Sequence, residues 1–74
     1  MGRLAGLSYR DVVARLRRLG FEFERQGAGS HEFWKQTGTD ARVMIANHRG
    51  DLPEGTLRSM LRGADIDVDA FLAD

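Results

Sequence analysis

Apolar positions recur at helical spacing early in the chain and then switch to strict alternation. Ser8 stands as an N-cap, Asp11 three positions later completes a variant capping box, and Leu7 is placed to staple onto Val12. This predicts a helix starting near Tyr9. Val12, Val13, Leu16 and Leu19 form its apolar stripe, Arg15, Arg17 and Arg18 suit the negative end of its dipole on a wet face, and Gly20 stops it. From Phe21, "FEFERQ" alternates with period two. "SHEFWKQ" follows the turn at 27–29, and "RVMIA" follows the turn "TGTD". Three short strands with hairpin-length loops predict an antiparallel sheet.

"DLPEG" announces a second helix, with Pro53 at the first helical position and Leu57, Met60, Leu61 and Ala64 on the core face. Gly63 is expected to close it, since Asp65 is a poor occupant of the left-handed region that a helix end favours. Asp67 can cap a terminal turn carrying Val68, Phe71 and Leu72, adding apolar area that so small a core needs. The expected fold is α+β: helix, three-stranded antiparallel sheet, helix and a short C-terminal helical turn. Double-stranded-RNA-binding domains share this α-β-β-β-α architecture, which alone assigns no function.

Length and composition narrow the picture without changing it. Residues 1–74 are expected to form a single domain, and 42% hydrophobic against 30% charged residues excludes a disordered chain. With no cysteine, disulfides and thiolate metal sites are excluded. "MGRLAGLSY" lacks the apolar run of a signal peptide, and Gly6 stands where a myristoylation signal needs Ser or Thr, so a soluble, cytoplasmic protein with no membrane contact is expected. Net charge is zero, but residues 1–50 hold nine Arg and Lys against five Asp and Glu, and residues 51–74 hold two against six. A basic surface suited to a polyanion is compatible with that division.

Three segments carry a resemblance. "RQGAGSHEFW" at 25–34, an apolar strand leading into "NHRGDL" at 47–52, and "PEGTLRSMLRGADI" at 53–66 together resemble the HicA toxin family of bacterial toxin–antitoxin systems, collinearly from Val12 to Phe71. The tripeptide GSH alone would carry nothing; the three segments in order and at these spacings are specific. The resemblance implies a double-stranded-RNA-binding-domain-like fold and the toxin of a type II system. It further implies a metal-independent endoribonuclease that cleaves messenger RNA with a catalytic histidine in GSH, and neutralisation by a HicB-type antitoxin. Glu32 stands where many members have a second histidine, and Ala46 where a proline is common.

A ribonuclease without a metal needs a base for the 2′-OH proton, an acid for the leaving 5′-oxygen, and positive charge or N–H donors around the phosphate. Imidazole changes protonation near neutral pH, which makes His31 the candidate catalytic group. Gly29 and Ser30 keep its approach open, and His48, beyond the third strand, is the other histidine, with a catalytic or a phosphate-supporting role open to it. Strand parity constrains the reading: His31 shares a face with Phe33 and Lys35, opposite Glu32 and Trp34. A core Phe33 would turn His31 inward. Two arrangements keep it exposed: a strand that begins after His31, which is the expectation, or Trp34 as the buried aromatic.

For RNA contact the candidates are Lys35, Arg58 and Arg62, then Arg25 and Arg42, with Thr56 at the N-terminus of the second helix as an anion site. No cofactor is expected. The acidic residues near the histidines in sequence, Glu32, Asp40 and Asp51, form no ligand pair of helical spacing, so no metal site is expected either. Two other classes stay open on the residues alone, a noncatalytic double-stranded RNA-binding module and a protein-interaction adaptor.

Overall fold

The computed structural model describes residues 2–47 and 49–73. The element order is α1 (Tyr9–Arg18), β1 (Phe21–Gln26), β2 (His31–Gln36), β3 (Arg42–Ala46), α2 (Glu54–Gly63) and α3 (Val68–Leu72). The strands form one antiparallel sheet in the order β1-β2-β3. The helices pack on one face of it, and the other face is open. The core between the layers is built from Val12 and Leu16 of α1, Phe21, Trp34, Val43 and Ile45 of the sheet, Leu57 and Leu61 of α2, and Phe71 of α3.

The α1 capping box forms as expected: the Asp11 N–H donates to Ser8 Oγ at 3.2 Å and the Ser8 N–H donates to Asp11 Oδ2 at 3.0 Å. Those contacts hold the Asp11 carboxyl below its ordinary range, the backbone N–H of Ser8 contributing most. The three arginines at the end of α1 do more than face a dipole. Arg15 and Arg18 donate to the carbonyls of Leu72 and Ala73 at 3.1 and 3.0 Å, tying α1 to the end of α3, and the Arg17 guanidinium lies 5.2 Å from the centre of the Trp34 ring.

Both ends of α2 depart from expectation. Pro53 is the N-cap and the helix proper begins at Glu54, one residue later than the sequence suggested. At the other end Gly63 stays helical, and Asp65 takes the left-handed conformation, with φ of 58°. The Asp65 N–H donates to the Arg62 carbonyl at 3.1 Å and the Ile66 N–H to the Leu61 carbonyl at 2.9 Å. This is a complete Schellman closure, and it brings Ile66 back against the core. Stopping at Gly63 would forgo that contact. Asp67 caps α3 as expected, accepting from the Ala70 N–H at 3.0 Å.

The segment before α1 has no counterpart in the hydrophobic pattern, yet Leu4 is fully buried. The Leu52 N–H donates to the Leu7 carbonyl at 2.8 Å, and Ser8 bridges Asp51. The approach to α2 is thereby fastened to the approach to α1.

Candidate functional site

The β1 to β2 hairpin turns through "GAGS" at 27–30. The His31 N–H donates to the Ala28 carbonyl at 3.1 Å, and the Gly27 N–H donates to the His31 carbonyl at 2.8 Å. Gln26 Nε2 braces the turn from one side, donating to the carbonyls of Gly29 and His31 at 3.0 and 2.9 Å. Gly29 adopts φ of +59°, where a side chain would be strained, and a Cβ on Gly27 would stand 2.7 Å from the Phe33 ring. The glycines therefore set the shape of the turn and the seat of Phe33, rather than simply loosening the chain.

His31 is the first residue of β2, paired with Ala46 of β3, and it is exposed. The strand does not begin after it, contrary to the arrangement expected from parity. The second arrangement holds: Trp34 is the buried aromatic, at 2% exposure, and Phe33 lies on the open face beside His31 instead of in the core. Lys35 follows on the same face, as do Arg42 and Met44 of β3, the latter 49% exposed.

Arg25 reaches that face by a bulge. Phe23 pairs with Trp34 but Arg25 pairs with Phe33, so Glu24 is an extra residue and the alternation of "FEFERQ" breaks there. Without the bulge Arg25 would share a face with Phe21. With it, the guanidinium sits 4.0 Å from the centre of the Phe33 ring, on the same face as His31.

The other candidate cations are either engaged by acids on that face or lie in the helical layer. Arg42 Nε and Nη2 grip the Glu24 carboxylate at 3.0 and 3.2 Å, and that pairing lowers the Glu24 pKa and raises the Arg42 pKa. Lys35 shares its cleft with Glu22, Glu24 and Asp40. Arg58 and Arg62 belong to the helical layer, where Arg58 pairs with Glu54 at 3.3 Å and both border a cleft with Asp65 and Asp67. Thr56 is exposed in the first turn of α2, but Glu54 already places a carboxylate at that helix end and Pro53 offers no side-chain cap. His48 lies outside the described residues. Among the described residues, no three His, Asp or Glu side chains converge as a metal-binding group, and no helix is long and apolar enough to cross a membrane.

Behind His31 lies a polar group that sequence reasoning missed. Glu32 is buried at 7% exposure, and both its carboxylate oxygens accept from side-chain donors. Oε1 accepts from Tyr9 Oη at 2.6 Å and from Trp34 Nε1 at 3.1 Å; Oε2 accepts from Asn47 Nδ2 at 3.1 Å. Burial works to raise the Glu32 carboxyl, but the three donors outweigh it and its pKa lies below the ordinary glutamate value. The Tyr9 phenol is pushed up to about 12, first by its own burial and then by the carboxylate that accepts its proton. The available signal was parity, since an acid that alternates with a buried tryptophan must point inward.

The arrangement defines a class: a small α+β domain that presents a histidine on the uncovered face of a three-stranded sheet, at the mouth of a braced glycine turn. A family model described as the HicA toxin of bacterial toxin–antitoxin systems matches residues 9–66, and the chain belongs to that family. Its role is that of the toxin in such a pair. A search among curated proteins finds no match.

Proposed function

We propose that this chain is a metal-independent endoribonuclease that cleaves messenger RNA, with His31 as its acid–base group, and that a HicB-type antitoxin neutralises it. The observation that carries this reading is the position of His31: an exposed imidazole at the open end of the uncovered sheet face, inside the stretch that the toxin family shares. Neutral imidazole takes the proton from a ribose 2′-OH as that oxygen attacks the adjacent phosphorus. The P–O5′ bond breaks as the P–O2′ bond forms, and the departing 5′-oxygen takes its proton from water on the opposite side of the phosphorus. Arg25, on the same face, supplies positive charge for the phosphate. Ser30 and Gly29 leave the approach open, since a side chain at Gly29 would meet nothing within 4 Å.

The test is one RNA incubation with wild type and His31→Ala, with and without chelator, mapping the ends formed. Because His31 is exposed, alanine should alter stability by no more than about 0.5 kcal/mol. Cleavage by the wild type should persist in chelator and disappear in the variant. An absolute need for added divalent metal, or an equally active His31→Ala protein, refutes the reading. Neutralisation is tested by coexpressing the product of the adjacent reading frame and scoring relief of growth arrest.

A further inference from the structure

Glu32 is a buried carboxylate on the inner face of the sheet, a costly place for a charge unless its oxygens are hydrogen-bonded. Two of its three donors need no such anchor. Trp34 is held by the core around it, and Tyr9 belongs to the capped first turn of α1. Asn47 is different. It is exposed, it is the first residue beyond β3, and it opens the segment that leads through Arg49 and Gly50 to α2.

Asn47 is gripped twice, by the residues on either side of His31. Its backbone N–H donates to the Ser30 carbonyl at 2.9 Å, and its side-chain amide donates to Glu32 Oε2 at 3.1 Å. The first grip continues the sheet ladder. The second comes from the inner face and fixes the direction in which the chain leaves β3.

We propose that Glu32 is a positioning residue for the His31 site: through Asn47 its carboxylate sets the course of the segment after β3 against the turn that carries His31. The inference rests on the ribonuclease reading for its catalytic consequence, and on the hydrogen bonds alone for its structural one. A purely structural Glu32 would affect stability only. A positioning Glu32 affects turnover while substrate affinity and the core stay as they are.

The experiment is a polarity swap. At neutral pH, Asn47→Asp sets a second carboxylate against Glu32 and should drive the segment away. Adding Glu32→Gln restores the bond in reverse, with the glutamine amide donating to the aspartate while its carbonyl still accepts from Tyr9 and Trp34. Asn47→Asp should lower kcat on a short RNA by at least about tenfold with KM nearly unchanged. It should also lower the hydrogen-exchange protection of the residue 47 amide by roughly tenfold, with Trp34 and Val43 unaffected. The double variant should recover both. Wild-type kcat and protection in Asn47→Asp, or a double variant no better than the single one, overturns the proposal. If the wild-type chain cleaves no RNA, the ribonuclease reading fails and exchange alone decides: lost protection regained in the double variant sustains the clamp, and unchanged protection overturns it.

Discussion

His31 and Glu32 are consecutive on β2 and face opposite sides of the sheet, the first exposed on the open face and the second 7% exposed against α1. The pleat alone accounts for this separation. Its consequence is that one dipeptide presents an imidazole to solvent while tying that end of the sheet to Tyr9 and Asn47. Chemistry and anchorage are adjacent in sequence but do not compete for space.

Tyr9→Phe removes the shortest of the three bonds to the Glu32 carboxylate. A hydrogen bond to a charged, buried acceptor contributes about 1.5–3 kcal/mol, and each kcal/mol shifts the midpoint by roughly 4–8 °C in a domain of this size. Thermal unfolding at neutral pH should register a drop of about 6 °C or more. A change of under about 2 °C would mean that Trp34 and Asn47 suffice to satisfy the carboxylate.

The same pair contributes to the pH dependence of stability at both ends. The folded Tyr9 phenol has its pKa raised from 10.0 to about 12, so its contribution is complete below pH 10 and is lost as pH rises toward 12. For Glu32 the sign reverses: its folded pKa lies below the ordinary 4.5, so its contribution is complete above that value and is lost as pH falls through the lowered one. The chain has a single tyrosine, which lets ultraviolet titration read its phenol directly. Glu32→Gln should lower the midpoint only in part, since burial, the larger cause, remains, and should lessen the alkaline loss of stability. An unshifted phenol in the wild type would contradict the buried geometry.

Asp65→Gly should stabilise the protein. Asp65 holds φ of 58° to complete the closure of α2, a conformation that costs an L-residue about 1 kcal/mol and glycine nothing. Part of the gain is returned through the greater freedom of glycine in the unfolded chain, leaving about 0.5 kcal/mol. Denaturant midpoints of the two proteins check it, and a less stable variant would show that the Asp65 side chain contributes in its own right.

Much of the fold could be read from local pattern because local chemistry sets it. The Ser8 and Asp11 box, the three strands and the Asp67 cap each depend on residues within a few positions of one another. What escaped depends on distance. The Leu4 anchor gains its value from packing against elements far along the chain, and Glu32 meets Tyr9 and Asn47 across separations of 23 and 15 residues. The misjudged C-terminal end of α2 has the same origin: residue preference favoured Gly63 as the stop, but the return of Ile66 to the core selects Asp65. At the site, the glycine turn and an exposed His31 were legible, while the strand face was resolved only by which aromatic the core takes. The bulge at Glu24 left no mark in "FEFERQ", and it brings Arg25 over Phe33 on the face that carries His31.

That bulge yields a prediction about the path of RNA. If the substrate follows the open sheet face, Arg25 over Phe33 is the cation it meets on the His31 face, because Arg42 is engaged by Glu24 and Lys35 is surrounded by Glu22, Glu24 and Asp40. Arg58 and Arg62 lie in the helical layer, on the other side of the sheet. Binding is best measured in a His31→Ala background, where bound RNA stays intact. There, Arg25→Ala should weaken affinity for a short single strand several-fold and reduce the slope of log K against log salt by about 0.7, the loss of one phosphate contact. Arg62→Ala should leave both unchanged. Glu24→Gln should act in the opposite sense to Arg25→Ala, since it removes a negative charge from that face and releases Arg42. Equal losses at Arg25 and Arg62 would route RNA across both layers, and a loss at Arg62 alone would move it to the helices, where His31 could not reach it.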